Sequence, residues 1–249
     1  MASPAFALNV SNDWMLACDV QHRFMQGLDP APGALDYSAQ CRQAQALGGD
    51  FYDFLPLPDQ RVAVAIGDAS GKGVAAALMI SGVQSSLRTA AWFRPDDPVA
   101  VIEAVNRQVH ALSLADRYAT LFYGVFDRAG RTFRYVNAGH NPPMIVRRNG
   151  SITWLETGGS PVGMFRDWTY RAGTASLNSG DLVIAYTDGV TETVNSAGEE
   201  WGVDGLRRAT AASAAECAED IVQAIFASMD TFSQGKQTDD ATIAVLRAC

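Results

Sequence analysis

The stretch Ile66-Gly67-Asp68-Ala69-Ser70-Gly71-Lys72-Gly73 decides the fold of this chain, because it joins two apolar runs of different character. The upstream run, RVAVAI at 61–66, predicts a short buried strand. The downstream run, at 74–91, is rich in Ala, Leu, Met and Ser without proline, and it predicts a helix. Asp68 therefore lies where a strand ends and a glycine-rich turn begins, which lets backbone groups and one carboxylate approach a ligand closely.

The spacing of this stretch does not match a phosphate-binding P-loop. Gly67 and Gly71 enclose three residues where that motif has four, and Gly73 stands where the motif needs Ser or Thr. The stretch instead predicts a metal-binding aspartate at the end of a strand.

Composition indicates one large globular domain, since 48% of the 249 residues are hydrophobic and 18% are charged. A net charge of −8 argues against nucleic acid or an anionic membrane as the main partner. The four cysteines form no C-x-x-C pair, which predicts reduced thiols rather than a zinc site or disulfides. No basic N-terminal region precedes a long apolar segment, and no apolar run approaches ~20 residues, so we expect a cytoplasmic protein without a membrane span.

The N-terminal segment predicts an amphipathic helix. N-cap candidates at 11–13 (SND) precede an apolar repeat of Leu16, Val20 and Phe24, and a DPAPG loop at 29–33 follows. This helix either packs on its own domain or serves as a dimerisation or linker element toward a regulatory domain.

The remaining apolar runs predict strands in groups and helices in pairs. Strands are predicted at 37–44, 51–57, 61–66, 119–126, 132–138, 144–147, 152–155, 181–187 and 241–246, and further helices at 98–112, 199–212 and 214–229. The four strands between 119 and 155 resemble a meander with glycine turns, and GGSPVG at 158–163 predicts a loop. This grouping favours an antiparallel α+β layered fold over a doubly wound one.

Acidic residues recur at predicted strand boundaries beside glycine or a second aspartate. They are Asp50, Asp68, Asp188 and the pair Asp239-Asp240. A single Asp-Gly ordinarily marks a turn, but each of these acids adjoins an apolar segment, where an unpaired carboxylate is costly. Oxygen ligands without His or Cys suit Mg²⁺ or Mn²⁺, and converging carboxylates can hold two such ions ~3.5–4 Å apart and activate a water for phosphoryl transfer.

Five motifs in order carry a family resemblance: GGDFYD at 48–53, GDASGKG at 67–73, NAGHNPP at 137–143, TDGVTE at 187–192 and TDDAT at 238–242. Together they closely resemble the SpoIIE/RsbU-type serine phosphatases, the bacterial branch of the metal-dependent type 2C (PPM) protein phosphatases. The resemblance implies a four-layer α-β-β-α sandwich of two antiparallel sheets flanked by helices, with two Mn²⁺ or Mg²⁺ ions at one edge. It divides the chain into an N-terminal helix and loop, 1–33, and a phosphatase domain, 34–249.

The resemblance also implies a ligand set for those ions: Asp50, Asp68, Asp188, Asp239, Asp240 and the backbone carbonyl of Ala69. In this set Asp68 bridges both ions, and Asp239 is preferred over Asp240. Water activated by the metals would attack phosphorus without a phosphoenzyme, and metal-bound water would also protonate the leaving group.

Three further residues of these motifs each have two interpretations. His140 is either catalytic or, as is commoner for a histidine in a Gly/Pro turn, structural. Lys72 either approaches the phosphate or is a solvated lysine at a helix start. Asp53 either orients metal waters or faces solvent. The loop at 158–163 matches a loop near the site in this family, where it is a candidate gate.

The implied function is dephosphorylation of phosphoserine or phosphothreonine on a partner protein. The resemblance points to a small STAS-type anti-sigma-factor antagonist in a partner-switching pathway, under an upstream regulatory or sensor domain, with a homodimer through the N-terminal helix as one arrangement. Two alternatives stay open at this point. One is a catalytically silent module that only binds its partner, and the other is a two-metal hydrolase of small phosphoesters or nucleotides.

Overall fold

The computed structural model describes residues 4–25, 35–113, 116–127, 129 and 131–249. The helices in these ranges are α1 (Pro4–Met25), α2 (Val74–Phe93), α3 (Pro98–Leu112), α4 (Asp188–Thr191), α5 (Gly202–Ser213) and α6 (Ala218–Ser233). The strands are β1 (Asp36–Arg42), β2 (Asp50–Leu57), β3 (Arg61–Ala69), β4 (Ala119–Asp127), β5 (Thr132–Ala138), β6 (Met144–Val146), β7 (Ile152–Trp154), β8 (Gly158–Gly159), β9 (Gly173–Ser176), β10 (Leu182–Tyr186) and β11 (Ala241–Arg247). None of the described helices is long and apolar enough to cross a membrane.

The strands form two sheets that pack face to face. Sheet I has the order β1-β11-β10-β6-β7, and sheet II has the order β2-β3-β4-β5-β8 with β9 beside β5. Helices α2 and α3 cover the outer face of sheet II, and α5 and α6 cover the outer face of sheet I. The predicted four-layer α-β-β-α sandwich is therefore confirmed.

Alternation along each strand decides which residues face the other sheet. On β3, Ala63 and Ala65 belong to the core under α2 and α3, whereas Val64 and Ile66 belong to the core between the sheets. Burying a large apolar side chain of this kind is worth ~1.5–3 kcal/mol. Because the side-chain period of a strand is two, Asp68 continues the inward-facing series at the end of β3. Asp68 therefore lies at one edge of the space between the two sheets.

The predicted meander between 119 and 155 is wrong, because β4 and β5 belong to sheet II while β6 and β7 belong to sheet I. The chain changes sheets between Ala138 and Met144. Gly139 has a φ of 70° there, and Pro142-Pro143 offers no amide donors to continue a ladder. Local alternation cannot reveal such a change, because the strands on both sides have the same period.

The segment at 158–163 is not wholly a loop, since Gly158–Gly159 forms β8 and pairs with β5 in parallel. The sheets are therefore antiparallel apart from this pairing within the described ranges. A Cβ at Gly158 would lie 1.8 Å from the carbonyl oxygen of Asn137. A side chain at this position would therefore prevent the pairing of β8 with β5. Strand β9 and the single turn of α4 were not predicted at all, since both are too short to show a period.

The N-terminal helix begins at Pro4, so the predicted cap at 11–13 is wrong and lies inside the helix. A proline fits the first helical turn, where its missing N–H has no partner to lose. The predicted loop at 29–33 and the domain boundary between 33 and 34 lie outside the described residues. Helices α5 and α6 begin at Gly202 and Ala218, a few residues later than predicted.

Candidate metal centre

Sheet register brings the first two acids together. Asp50 and Asp68 are directly opposite each other across β2 and β3, and Thr120 of β4 is opposite Asp68 on its other side. From sheet I, Thr187 follows the last residue of β10, and Thr242 lies near the start of β11. The two sheets thus present carboxylates and hydroxyls to each other at one edge of the sandwich.

Asp50 is buried at 1% exposure and is held by the opposite sheet. Its Oδ2 accepts hydrogen bonds from Oγ1 of Thr187 and from Oγ1 of Thr242, each at 2.7 Å. The amide of Thr242 in turn donates to Oγ1 of Thr187 at 2.9 Å. Burial raises the pKa of Asp50 to about 7, although the two threonine hydroxyls act in the opposite direction.

Asp68 is the acid that lies among the other carboxylates of the site, and their charges oppose its ionisation. Burial, followed by the charges of Asp50, Asp188, Asp239 and Asp240, raises its pKa to about 8. Burial and the Asp239 carboxylate also raise the pKa of Asp188, which begins α4. Carboxylates that disfavour one another's ionisation lack a compensating cation, which is the condition a bound metal relieves.

The two acids of the terminal pair, Asp239 and Asp240, accept hydrogen bonds from different parts of the chain. Oδ2 of Asp239 accepts from the ammonium of Lys72 at 2.6 Å. Asp240 accepts the amide of Ala44 on Oδ1 and the amide of Gly49 on Oδ2, both at 2.8 Å. Lys72 thus has a defined partner in Asp239, and Asp240 fixes the loop that leads into β2.

The donors fit a cation in type and charge, since the side chains and the Ala69 carbonyl are all oxygen ligands of the kind that Mg²⁺ and Mn²⁺ prefer. Within the described residues, however, no three Asp, Glu, His or Cys side chains are close enough to hold an ion as they stand. Asp50, Asp239 and Asp240 are each engaged by donors of the protein itself. Asp68, Asp239 and Asp240 line a cleft of about 160 Å³, so the centre is open.

Arg117 is a residue of this site that the sequence did not reveal. Its Nη1 donates to the carbonyl of Ser70 at 2.8 Å, inside the glycine-rich turn. Gly71 has a φ of 94°, and a Cβ there would lie 1.9 Å from that nitrogen. Glycine is therefore required both by the backbone angle and by the arginine. In the sequence Arg117 is only a basic residue before a predicted strand, with nothing to indicate that it meets the turn.

His140 is enclosed beside the centre. Its Nδ1 lies 2.9 Å from Oγ1 of Thr120, and its amide donates to Oδ1 of Asn137 at 2.7 Å. Burial lowers the pKa of His140 to about 4, so the ring is neutral at pH 7. Among the described residues its Nε2 has no hydrogen bond of normal geometry. These features favour the structural interpretation of His140, while a catalytic role stays a hypothesis.

Both interpretations of Asp53 are wrong, because the residue neither faces solvent nor approaches the other metal-site acids. Asp53 is three positions after Asp50 on β2, and an odd offset places the two side chains on opposite faces of the strand. Asp53 is fully buried and pairs with Nε of Arg88 at 2.6 Å and with Nε2 of Gln84 at 3.2 Å. Burial raises the pKa of Asp53 despite these contacts. Its role is to anchor α2.

The N-terminal helix reaches the same elements. Arg88 and Gln84 also donate to the carbonyl of Phe24, at 3.1 and 2.9 Å. Gln21 donates to the carbonyl of Gly48 at 2.7 Å and accepts the Gly48 amide at 3.2 Å. Helix α1 therefore contacts both α2 and the loop that precedes Asp50.

The loop at 158–163 is tied to the start of β4, where Val162 and Ala119 exchange two backbone hydrogen bonds of 2.8 and 3.0 Å. This contact places the loop beside the strand that carries Thr120. A gating role for the loop stays a prediction.

Comparison with known proteins identifies the family to which the sequence is similar. The family model described as Stage II sporulation protein E (SpoIIE) matches residues 58–248. Phosphoserine phosphatase RsbU of Bacillus subtilis (strain 168) is 27% identical over 242 residues, which are 96% of this chain and 70% of RsbU. The predicted resemblance to SpoIIE/RsbU-type phosphatases is thereby confirmed.

Solved structures agree on the fold. The crystal structure of the RsbU and RsbW domains of a Mycobacterium tuberculosis protein matches with a TM-score of 0.75 and 26% identity, over 88% of this chain and 61% of that one. The SiaA-PP2C domain of Pseudomonas aeruginosa matches with a TM-score of 0.81 and 19% identity, over 99% of this chain and 100% of that one. Because the identity is only 19%, the second match indicates a shared fold and nothing about function.

Proposed function

This chain belongs to the SpoIIE family and is a protein serine/threonine phosphatase of the PP2C type, and we propose that it hydrolyses phosphoserine or phosphothreonine on a partner protein with two Mn²⁺ or Mg²⁺ ions. The observation that carries this proposal is the meeting of Asp50, Asp68, Asp188 and Asp239 at one edge of the sandwich. Their charges, together with burial, raise the pKa of Asp68 to about 8, and a cationic centre would relieve that repulsion.

The bound ions would supply the positive charge that activates a water and neutralises the phosphoryl oxygens. Asp50 and Asp68 would hold them from sheet II, and Asp188, Asp239 and the carbonyl of Ala69 would complete the set. The threonine hydroxyls fix one oxygen of Asp50 at 2.7 Å, which leaves the other oxygen free to bind. Such fixed carboxylates lose little freedom on binding a metal.

Two cationic side chains of this chain would attract the substrate phosphate. Lys72 contacts Asp239 at the cleft, and Arg117 lies against the turn at Ser70. A serine alkoxide leaving group needs a proton, and His140 is buried and neutral. We therefore propose that His140 is not the proton donor and that water at the bound ions would supply this proton.

The proposed substrate is a phosphorylated STAS-type domain, as in the partner-switching systems in which RsbU-type phosphatases act with regulatory domains. A phosphorylated loop of a folded partner can reach this centre, because the acids lie at an open edge of the sandwich rather than in an enclosed pocket.

The experiment is turnover of p-nitrophenyl phosphate and of a phosphorylated STAS-domain protein with Mn²⁺. We expect EDTA and Asp68→Asn to abolish both activities, and Asp167→Asn, which removes the same charge at an exposed site, to preserve them. Activity that survives EDTA or Asp68→Asn would contradict the metal mechanism. Turnover of the small ester without any phosphoprotein would favour a small-phosphoester hydrolase, and no turnover of either substrate would favour the silent module.

We also propose that α1 provides the contact with a second copy or with an upstream regulatory domain. Leu16 and Val20 of α1 are 61% and 46% exposed, and Leu78 of α2 is 71% exposed. These side chains line a cleft of about 390 Å³ between α1 and α2. Removing the residues before Leu28 should change the oligomeric state measured by light scattering, the phosphatase rate, or both. If neither changes, the helix only packs on its own domain.

A further inference from the structure

A large cavity lies at the other end of sheet I. Its volume is about 1260 Å³, and it is bounded by the turn between β6 and β7, the start of β10, the end of β11, α5 and the connection from α5 to α6. Strand β11 runs from the acids at its start to Arg247 at this cavity, over seven residues. At ~3.3 Å per residue the cavity is ~20 Å from the metal centre. It is a separate feature of the molecule.

The cavity concentrates positive charge in an acidic chain. Its lining includes the arginines Arg147, Arg148, Arg207, Arg208 and Arg247, against two acids, Asp36 and Asp204. The chain as a whole carries 27 acidic and 19 basic side chains. Guanidinium groups that share a concave surface repel one another unless an anion lies among them.

Three of these arginines already have partners. Arg147 pairs with Asp181 at 2.7 Å, and Arg207 pairs with Asp204 at 3.3 Å. Arg247 donates to the carbonyls of Ala215 and Glu216. The paired arginines hold the walls of the cavity in place.

Arg148 and Arg208 differ from the other three. Both are exposed, and neither side chain has a hydrogen bond or an ion pair with any of the residues described here. One comes from the turn after β6 and the other from α5, so the tertiary fold alone brings them to one cavity. Two free guanidinium forks suit the oxygens of a phosphate chain, which they bind in a bidentate manner.

Apolar side chains form part of the remaining lining. Val146, Ile152 and Leu182 contribute from sheet I, and Ala211, Ala214 and Ala215 contribute from the helical side. A ligand that satisfies both surfaces carries a polyanionic part and a less polar body. We propose that this cavity binds a nucleoside polyphosphate, with Arg148 and Arg208 as ligands of its phosphates. The volume exceeds the ~300–1,000 Å³ typical of small-ligand sites, so a nucleotide would fit.

The test is calorimetric titration of the full chain with ATP in the presence of EDTA. Without divalent ions the acidic metal centre repels the nucleotide, so heat reports binding elsewhere. We expect saturable binding that weakens with added salt, and we expect the double variant Arg148→Gln/Arg208→Gln to weaken it by at least ~10-fold. The matched control is Arg94→Gln/Arg166→Gln, which removes two exposed and equally unpaired arginines elsewhere and should bind as the original chain does.

Thermal melting without ligand identifies a variant that fails to fold. If the double variant does not fold, ATP binding is measured with the single variant Arg208→Gln instead. Absence of ATP binding would overturn the proposal, and so would an equal loss in the control variant. If a poly-glutamate peptide binds and ATP does not, the cavity is a docking site for an acidic protein segment, and the nucleotide proposal is wrong.

Discussion

Oγ1 of Thr242 in sheet I lies 2.7 Å from Oδ2 of Asp50 in sheet II, so a hydroxyl of one sheet holds an acid of the candidate metal centre on the other. Asp50 is 1% exposed, and a buried carboxylate depends on such donors. The bond therefore links the stability of the sandwich to the geometry of the centre.

We expect Thr242→Val to destabilise the protein by ~1.5–3 kcal/mol, because one of the two hydroxyl donors to a buried carboxylate is lost. Mn²⁺ affinity should fall by ~10–100-fold, as is typical when a residue that orients a metal ligand is removed. Urea denaturation and Mn²⁺ titration measure the two effects. Thr242→Ser keeps the hydroxyl and serves as the control. Unchanged Mn²⁺ affinity in the valine variant would mean that Asp50 is not a ligand.

The stability of the metal-free protein should depend on pH through Asp68. Its pKa is about 8 in the fold, against 3.8 as its ordinary value. Between these values the folded chain binds more protons than the unfolded chain, so the free energy of unfolding falls as the pH rises. The stabilisation is complete below pH 3.8 and is lost once the pH passes about 8.

Melting temperatures measured in EDTA between pH 6 and pH 9 test this expectation. They should decline with pH in the original chain and decline less in Asp68→Asn, which has no such proton to lose. Mn²⁺ competes with the proton, so its stabilising effect should grow over the same range. A metal-free melting temperature that rises from pH 6 to pH 9 would contradict the charge concentration at Asp68.

Arg117 should act on the substrate rather than on the metals. We expect Arg117→Gln to lower kcat/KM for a phosphoprotein by about 10-fold, since one charge-assisted hydrogen bond is worth ~1.5–3 kcal/mol. Arg94→Gln, at an exposed arginine, is the control. If Arg117 serves only to hold the turn through the Ser70 carbonyl, Mn²⁺ affinity will fall and KM will stay constant.

The Asp53–Arg88 pair should make a large contribution to stability. Arg88→Met leaves a fully buried carboxylate without its cation, which typically costs ~3–5 kcal/mol. Replacing both partners, as Asp53→Leu/Arg88→Met, should recover most of that loss, because no unpaired charge remains. Urea denaturation of the single and double variants measures the difference. A loss below ~1 kcal/mol in Arg88→Met would show that the pair is solvated in solution.

Much of the fold and the types of donor were predictable because they depend on local pattern. The strand at 61–66 and the helix after Gly73 follow from short-range periodicity, and so does the helix at 98–112, whose cap is Asp97. The acids could be selected because each combines a carboxylate with a turn residue beside an apolar run. The period of two also places Asp50 and Asp53 on opposite faces of β2, although one motif contains both.

Other features depend on elements distant in the chain. The division of β4–β7 between two sheets, the contact of Arg117 with Ser70 and the presence of Arg148 and Arg208 at one cavity have no local signature. Neither has the bond between Asp50 and Thr242, which are 192 positions apart. The sequence by itself determined the longer strands and helices and the acidic donors, since backbone preference and alternation are local. Only the tertiary structure decided which charges meet, because the packing of the sheets sets those distances.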